Sequence, residues 1–195
     1  MPLPETPHPE ARRAAEPRRT QSGGTAEKSD LYRDLARQLA ALIAGEPDRV
    51  ANAANMAALL YHGLPDLNWA GFYFTQGEEL VLGPFQGQPA CLRIAVGKGV
   101  CGAAVKRGES VLVDDVRAFP GHIACGDAAL SELVVPLIEA GECLGVLDLD
   151  SPSVGRFDEE DKEGLEALVG LFLAHQRAFA SGAAPTPIRR RGAAH

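Results

Sequence analysis

The 195-residue sequence has no apolar run near the roughly 18 residues that a membrane-spanning helix needs, and its start, rich in Pro, Arg and Glu, lacks the apolar stretch of a secretory signal. These absences predict a soluble, cytoplasmic protein with no membrane partner. A positive surplus is missing too. From Ser29 to Ser181 there are 11 Lys or Arg against 22 Asp or Glu, so the body of the protein is acidic. Phosphate backbones need a basic face, which excludes nucleic acid as the main partner, and Arg189-Arg190-Arg191 reads as a solvated triplet in a tail. Cysteine is sparse, with four in a chain that is 46% apolar. A chain with that much material for a core needs no disulfide framework, and reduced resting thiols are expected.

What is present reads as one domain between two tails. Residues 1–28 carry Pro2, Pro4, Pro7, Pro9 and Pro17 among Ala, Glu and Arg, without an apolar period, and are expected to be a disordered tail. Ser29 is the expected cap of a helix lined by Leu31, Leu35, Leu39, Leu42 and Ile43. A second helix follows Asp48 and stops at Gly63. From Asn68 the period becomes two: Trp69, Gly71 and Tyr73 share one face of a strand, and Ala70, Phe72 and Phe74 share the other. Glu79–Leu82, Cys91–Val96 and Ser110–Val113 read as further strands, with a short helix over Val100–Arg107. A long loop from Asp114 to Ser131 leads to a hairpin of Leu133–Ile138 and Cys143–Asp150, and Asp158 caps a closing helix. The domain is expected over 29–182, with a second disordered tail over 183–195. Its class is α/β in the α+β sense, a mostly antiparallel central sheet flanked by helices.

The chemistry concentrates between Gly83 and Pro152. Cys91, Cys101 and Cys125 lie beside glycines or loops, as thiols able to exchange disulfides would. Cys101 falls in the first turn of a helix, where the dipole favours a thiolate. Asp148 and Asp150 point to the same face of their strand as Leu144 and Val146, about 7 Å apart by strand rise. With Glu132 on the partner strand they suggest a polar pocket in which crowded carboxylates raise one another's proton affinity. Each residue also has a plainer reading: Cys101 as a packed helix cysteine, Asp150 as a turn cap, Trp69 and Tyr73 as ordinary core. Cys143 is expected to be a buried spectator on the face of Gly145 and Leu147.

The runs Asn68-Trp69-Ala70-Gly71-Phe72-Tyr73, Gly97-Lys98-Gly99-Val100-Cys101-Gly102, Phe119-Pro120-Gly121-His122-Ile123-Ala124-Cys125 and Val134-Val135-Pro136-Leu137 closely resemble the free methionine-(R)-sulfoxide reductases, enzymes of GAF fold. The resemblance extends over about 31–180. It implies that Cys125 is the nucleophile that attacks the sulfoxide sulfur, leaving a sulfenic acid that Cys91 or Cys101 resolves as a disulfide. It also implies that Glu132, Asp148 and Asp150 bind substrate and hold the proton for its oxygen, that Trp69 and Tyr73 wall the pocket, and that a thioredoxin-like reductant recycles the enzyme. The expected substrate is free methionine (R)-sulfoxide, with no cofactor and no metal, and a homodimer is left open. Gly126 departs from the pattern, since the family places Asp directly after the nucleophile. Two other classes compete: a non-catalytic GAF sensor of a small ligand, and a thiol redox sensor that turns over no substrate.

Overall fold

The computed structural model describes residues 24–123 and 129–181. Helix α1 (Gly24–Ile43) begins ahead of the expected cap at Ser29. The cause lies at the other end of the chain. Lys28 Nζ sits 2.7 Å from carboxylate oxygens of both Asp158 and Asp161, which draws the residues before Ser29 onto the closing helix. Asp161 is fully buried and also accepts from Tyr32 Oη at 2.8 Å and Arg156 Nη1 at 3.0 Å. A buried carboxylate with this many donors is compensated, whereas removing one partner would leave a charge uncovered. Helix α2 (Arg49–Gly63) starts as its sequence predicts, with the Asp48 carboxylate accepting from the Ala51 N–H.

Strands β1 (Trp69–Gln76) and β2 (Glu79–Gly87) form a longer hairpin than expected, and β3 (Arg93–Ala95) a shorter strand that leaves Cys91 and Leu92 outside it. Helix α3 (Gly99–Arg107) closes at Gly108 in the left-handed region. Then follow β4 (Val111–Val113), a 3-10 turn over Val116–Ala118, β5 (Ser131–Glu139) and β6 (Glu142–Ser151). Helix α4 (Glu159–Ala180) opens on a capping box between Asp158 and Asp161. The six strands pair in the order β3-β2-β1-β6-β5-β4, every pairing antiparallel, so the expected α+β class with an antiparallel sheet is the observed one.

The sheet separates two cores. Ala70, Phe72, Leu133, Leu147 and Leu149 face α1, α2 and α4, where Leu35, Leu39, Met56, Leu60 and Phe172 meet them. Trp69, Tyr73, Val134 and Val146 face a smaller core completed by Ile94, Val100 and Cys101. The alternation in β1 follows its sequence. In β6 it breaks once. Pro136 pairs with Val146 and Ile138 with Cys143, so β6 carries one residue more than β5 at that point. Gly145, at φ +152°, takes up the bulge, and a Cβ there would lie 2.2 Å from the Tyr73 carbonyl oxygen. Two expectations fail for this reason. Leu144 packs on the helix-covered core and does not share a face with Val146, and Cys143 is half-buried, its Sγ donating to the Gly145 carbonyl at 3.2 Å.

Candidate active site

Strand register brings the acids together. Asp150 lies between Trp69 on β1 and Glu132 on β5, and Asp148 lies one row along, between Gly71 and Val134. Since alternate residues point to one face, Glu132, Asp148 and Asp150 all turn toward the smaller core. Gly71 is bare for a steric reason: a Cβ there would meet the Trp69 ring at 2.6 Å and Phe85 at 2.4 Å. The indole lies in the space this leaves, stacked at 5.4 Å on Phe85 and 5.9 Å on Tyr73, and its Nε1 donates to the Gln88 carbonyl at 3.1 Å.

Above the acids stands the N-terminal turn of α3. Cys101 is buried, with Sγ 3.3 Å from Asp148 Oδ2 and 3.9 Å from Glu132 Oε1. These groups line a cavity of about 100 Å³ that Trp69, Tyr73 and His122 help to close. Among the described lining residues there is no Lys or Arg. The volume lies well under the roughly 300–1,000 Å³ of sites for drug-sized ligands. A small cationic or zwitterionic ligand suits such a pocket, and a nucleotide phosphate does not.

The electrostatics follow from burying acids without a cation. Burial first, then Asp148 and Asp150, hold the Glu132 carboxyl well above the usual range. Asp148 is pushed up to about 7 by burial, and Asp150 is raised by burial and by Asp148. Acids of this kind keep a proton near neutrality, as their crowding in the sequence suggested. Cys101 goes against expectation. A helix N-terminus favours a thiolate by about 0.3–1 kcal/mol, but burial and the Asp148 and Glu132 carboxylates outweigh it and raise the thiol. Its place in the first turn of α3 was legible; burial and the acids below it decide its protonation.

The structure therefore gathers Trp69, Tyr73, Cys101, Glu132, Asp148 and Asp150 in one cavity. Cys91 is half-buried beside the smaller core and disulfide-bonded, while Cys101 and Cys143 are free. Reduced resting thiols were expected, and Cys91 departs from that. Cys125, the expected nucleophile, lies outside the described residues. Sequence reasoning passed over His122, which lines the cavity with Nδ1 4.0 Å from Glu132 Oε2 and has no hydrogen-bond partner there among the described residues. Burial lowers its pKa. Its signal was its position, three residues before Cys125 in a motif already singled out.

Known proteins resemble this chain over most of its length. The GAF domain model matches residues 48–172. A free methionine-R-sulfoxide reductase of Escherichia coli strain K12 is 53% identical over 142 residues, 73% of this chain and 86% of that protein. One from Saccharomyces cerevisiae is 44% identical over 152 residues, 74% of this chain and 84% of that protein. The structure of a free methionine-R-sulfoxide reductase from Neisseria meningitidis, in complex with its substrate, superposes with a TM-score of 0.76 at 44% identity, covering 80% of this chain and 93% of that one.

Proposed function

Because the chain belongs to the free methionine-R-sulfoxide reductases of GAF fold, we propose that it reduces free methionine (R)-sulfoxide to methionine and that the cavity between α3 and the β1-β6-β5 face is where it does so. The observation that carries the reading is a buried pocket with three proton-holding carboxylates and no described Lys or Arg. A free amino acid brings an ammonium group that such a pocket recognises, and a peptide-bound methionine lacks it.

In the proposed reaction the Cys125 thiolate attacks the sulfoxide sulfur while the carboxyl cluster protonates the sulfoxide oxygen. The resulting hydroxyl passes to the Cys125 sulfur as the new bond between the two sulfurs breaks, so methionine leaves and Cys125 is left as a sulfenic acid. Cys91 then attacks that sulfur and expels water, forming a disulfide that a thioredoxin-like dithiol reduces. Assigning the resolving role to Cys91 is supported by its disulfide and by the contrasting state of Cys101, which is free, buried and held as a thiol by its acidic neighbours. Cys101 then serves the pocket as a donor to Asp148. Trp69 and Tyr73 supply the wall for the apolar part of the substrate.

The test is NADPH consumption with thioredoxin and its reductase, using separated R and S epimers and a capped, N-acetylated amide of methionine sulfoxide. Turnover of the free R epimer is expected, lost in Cys125→Ser and reduced to a single turnover in Cys91→Ser. Equal rates with the capped compound would defeat the ammonium account. Oxidation without substrate-dependent turnover would leave a redox sensor instead.

A further inference from the structure

The same corner of the cavity has the donors of a metal site. Ligand atoms of Cys101, Glu132 and Asp148 all lie within 4.8 Å of one another, and all three residues are buried. With Zn–S near 2.3 Å and Zn–O or Zn–N near 2.0–2.2 Å, tetrahedral geometry asks for ligand separations of about 3.4–3.6 Å. The observed 3.3 Å and 3.9 Å from Cys101 Sγ to the two carboxylates bracket that value. One further atom of this trio has no partner among the described residues. Asp148 is 6% exposed, lines the cavity, and has no hydrogen-bond partner at Oδ1 among the described residues, while His122 Nδ1 stands 4.0 Å from the other Glu132 oxygen, outside the trio. A sulfur and two carboxylates are donors of the zinc type, and the described lining offers no Lys or Arg to compete for the carboxylates.

We propose that the reduced protein binds one divalent zinc-like ion through Cys101, Glu132 and Asp148, and that this ion and the substrate exclude each other. Binding replaces the protons that the cluster holds, including that of the Cys101 thiol, which passes to solvent. The binding half of the inference stands by itself; the competition with methionine sulfoxide rests on the proposed reductase function.

The full-length protein, reduced and freed of metal, would be titrated with Co²⁺ and followed by thiolate-to-cobalt charge-transfer absorption, with Zn²⁺ affinity measured by equilibrium dialysis. One equivalent is expected. Cys101→Ser should abolish the absorption and weaken Zn²⁺ binding at least tenfold, and Glu132→Gln should weaken it similarly with the fold intact by circular dichroism. Absorption that survives in Cys101→Ser but vanishes in Cys91→Ser overturns the site, as does Zn²⁺ affinity unchanged in Glu132→Gln, which decides the matter should Cys101→Ser fail to fold. Free methionine sulfoxide should lower the apparent Zn²⁺ affinity. Variant-sensitive binding in a protein without reductase activity would keep the metal site and sink the functional reading, and turnover without metal binding would do the reverse.

Discussion

The two faces of the sheet are made by the same strands to opposite ends. Along β6, Leu147 and Leu149 enter a core in which each is fully buried among aliphatic and aromatic partners, while Val146, Asp148 and Asp150 point the other way and meet carboxylates, a thiol and aromatic rings. The helix-covered face gains stability from the apolar groups it buries. The opposite face buries acids against their preference for water, and their raised proton affinity measures that cost. Strand alternation lets one backbone serve both.

The sharpest way to break this contrast is to damage the helix-covered face. Phe172→Ala should cost about 3–5 kcal/mol of unfolding free energy, as a fully buried aromatic would, yet leave the specific activity of the molecules that remain folded near wild type. Urea unfolding together with kcat per folded molecule checks both halves. Asp148→Asn should behave in the opposite sense. Turnover should fall at least tenfold, about 1.4 kcal/mol of transition-state stabilisation, while thermal stability at pH 8 should rise. The sign follows from linkage: the folded-state value of about 7 lies above the ordinary 3.8. The carboxyl therefore adds stability in full below about pH 4, and that stability is lost as pH rises through 7. Glu132 and Asp150 contribute with the same sign. Wild type should lose Tm across that window, and Asp148→Asn should lose less. An equal loss in the two proteins would place the titration elsewhere.

Smaller changes sharpen the comparison. Gly71→Ala drives a methyl into Trp69 and Phe85, and should cost about 1–3 kcal/mol through displacement of the indole. Its mark should be a raised KM and altered Trp fluorescence, since Trp69 is the chain's only tryptophan. Cys143→Ser should do least, within about 0.5 kcal/mol in stability and twofold in rate, because the thiol is half-buried and a hydroxyl can keep its bond to the Gly145 carbonyl. A large loss of rate in a folded Cys143→Ser protein would bring that thiol into the mechanism.

Much of this division was legible in the residues. The period of two from Trp69 to Phe74 announced a strand covered on both sides, and the spacing of Asp148 and Asp150 placed both acids on one face. The Asp48 and Asp158 caps were visible because helix starts depend on local chemistry. What escaped depends on distant partners. The bulge at Gly145 shows only when β5 and β6 are counted against each other, and the early start of α1 depends on acids some 130 positions away. The state of the Cys101 thiol is of the same kind: a local rule predicted a thiolate, and burial together with three carboxylates from two other strands reversed it.

The brevity of β3 has a consequence in time. Its three residues hang on the outer edge of the sheet, paired only through Glu79, Leu80 and Val81, and Cys91 lies just beyond them, whereas Asp148 sits on β6 with a strand bonded along either side. Amide protons of β6 should exchange with solvent only when the whole domain unfolds, while those around Cys91 should exchange through local fraying many times faster. The sulfur proposed to resolve the sulfenic acid would thus sit at an edge expected to open locally, while the carboxyls at the centre of the sheet stay in place.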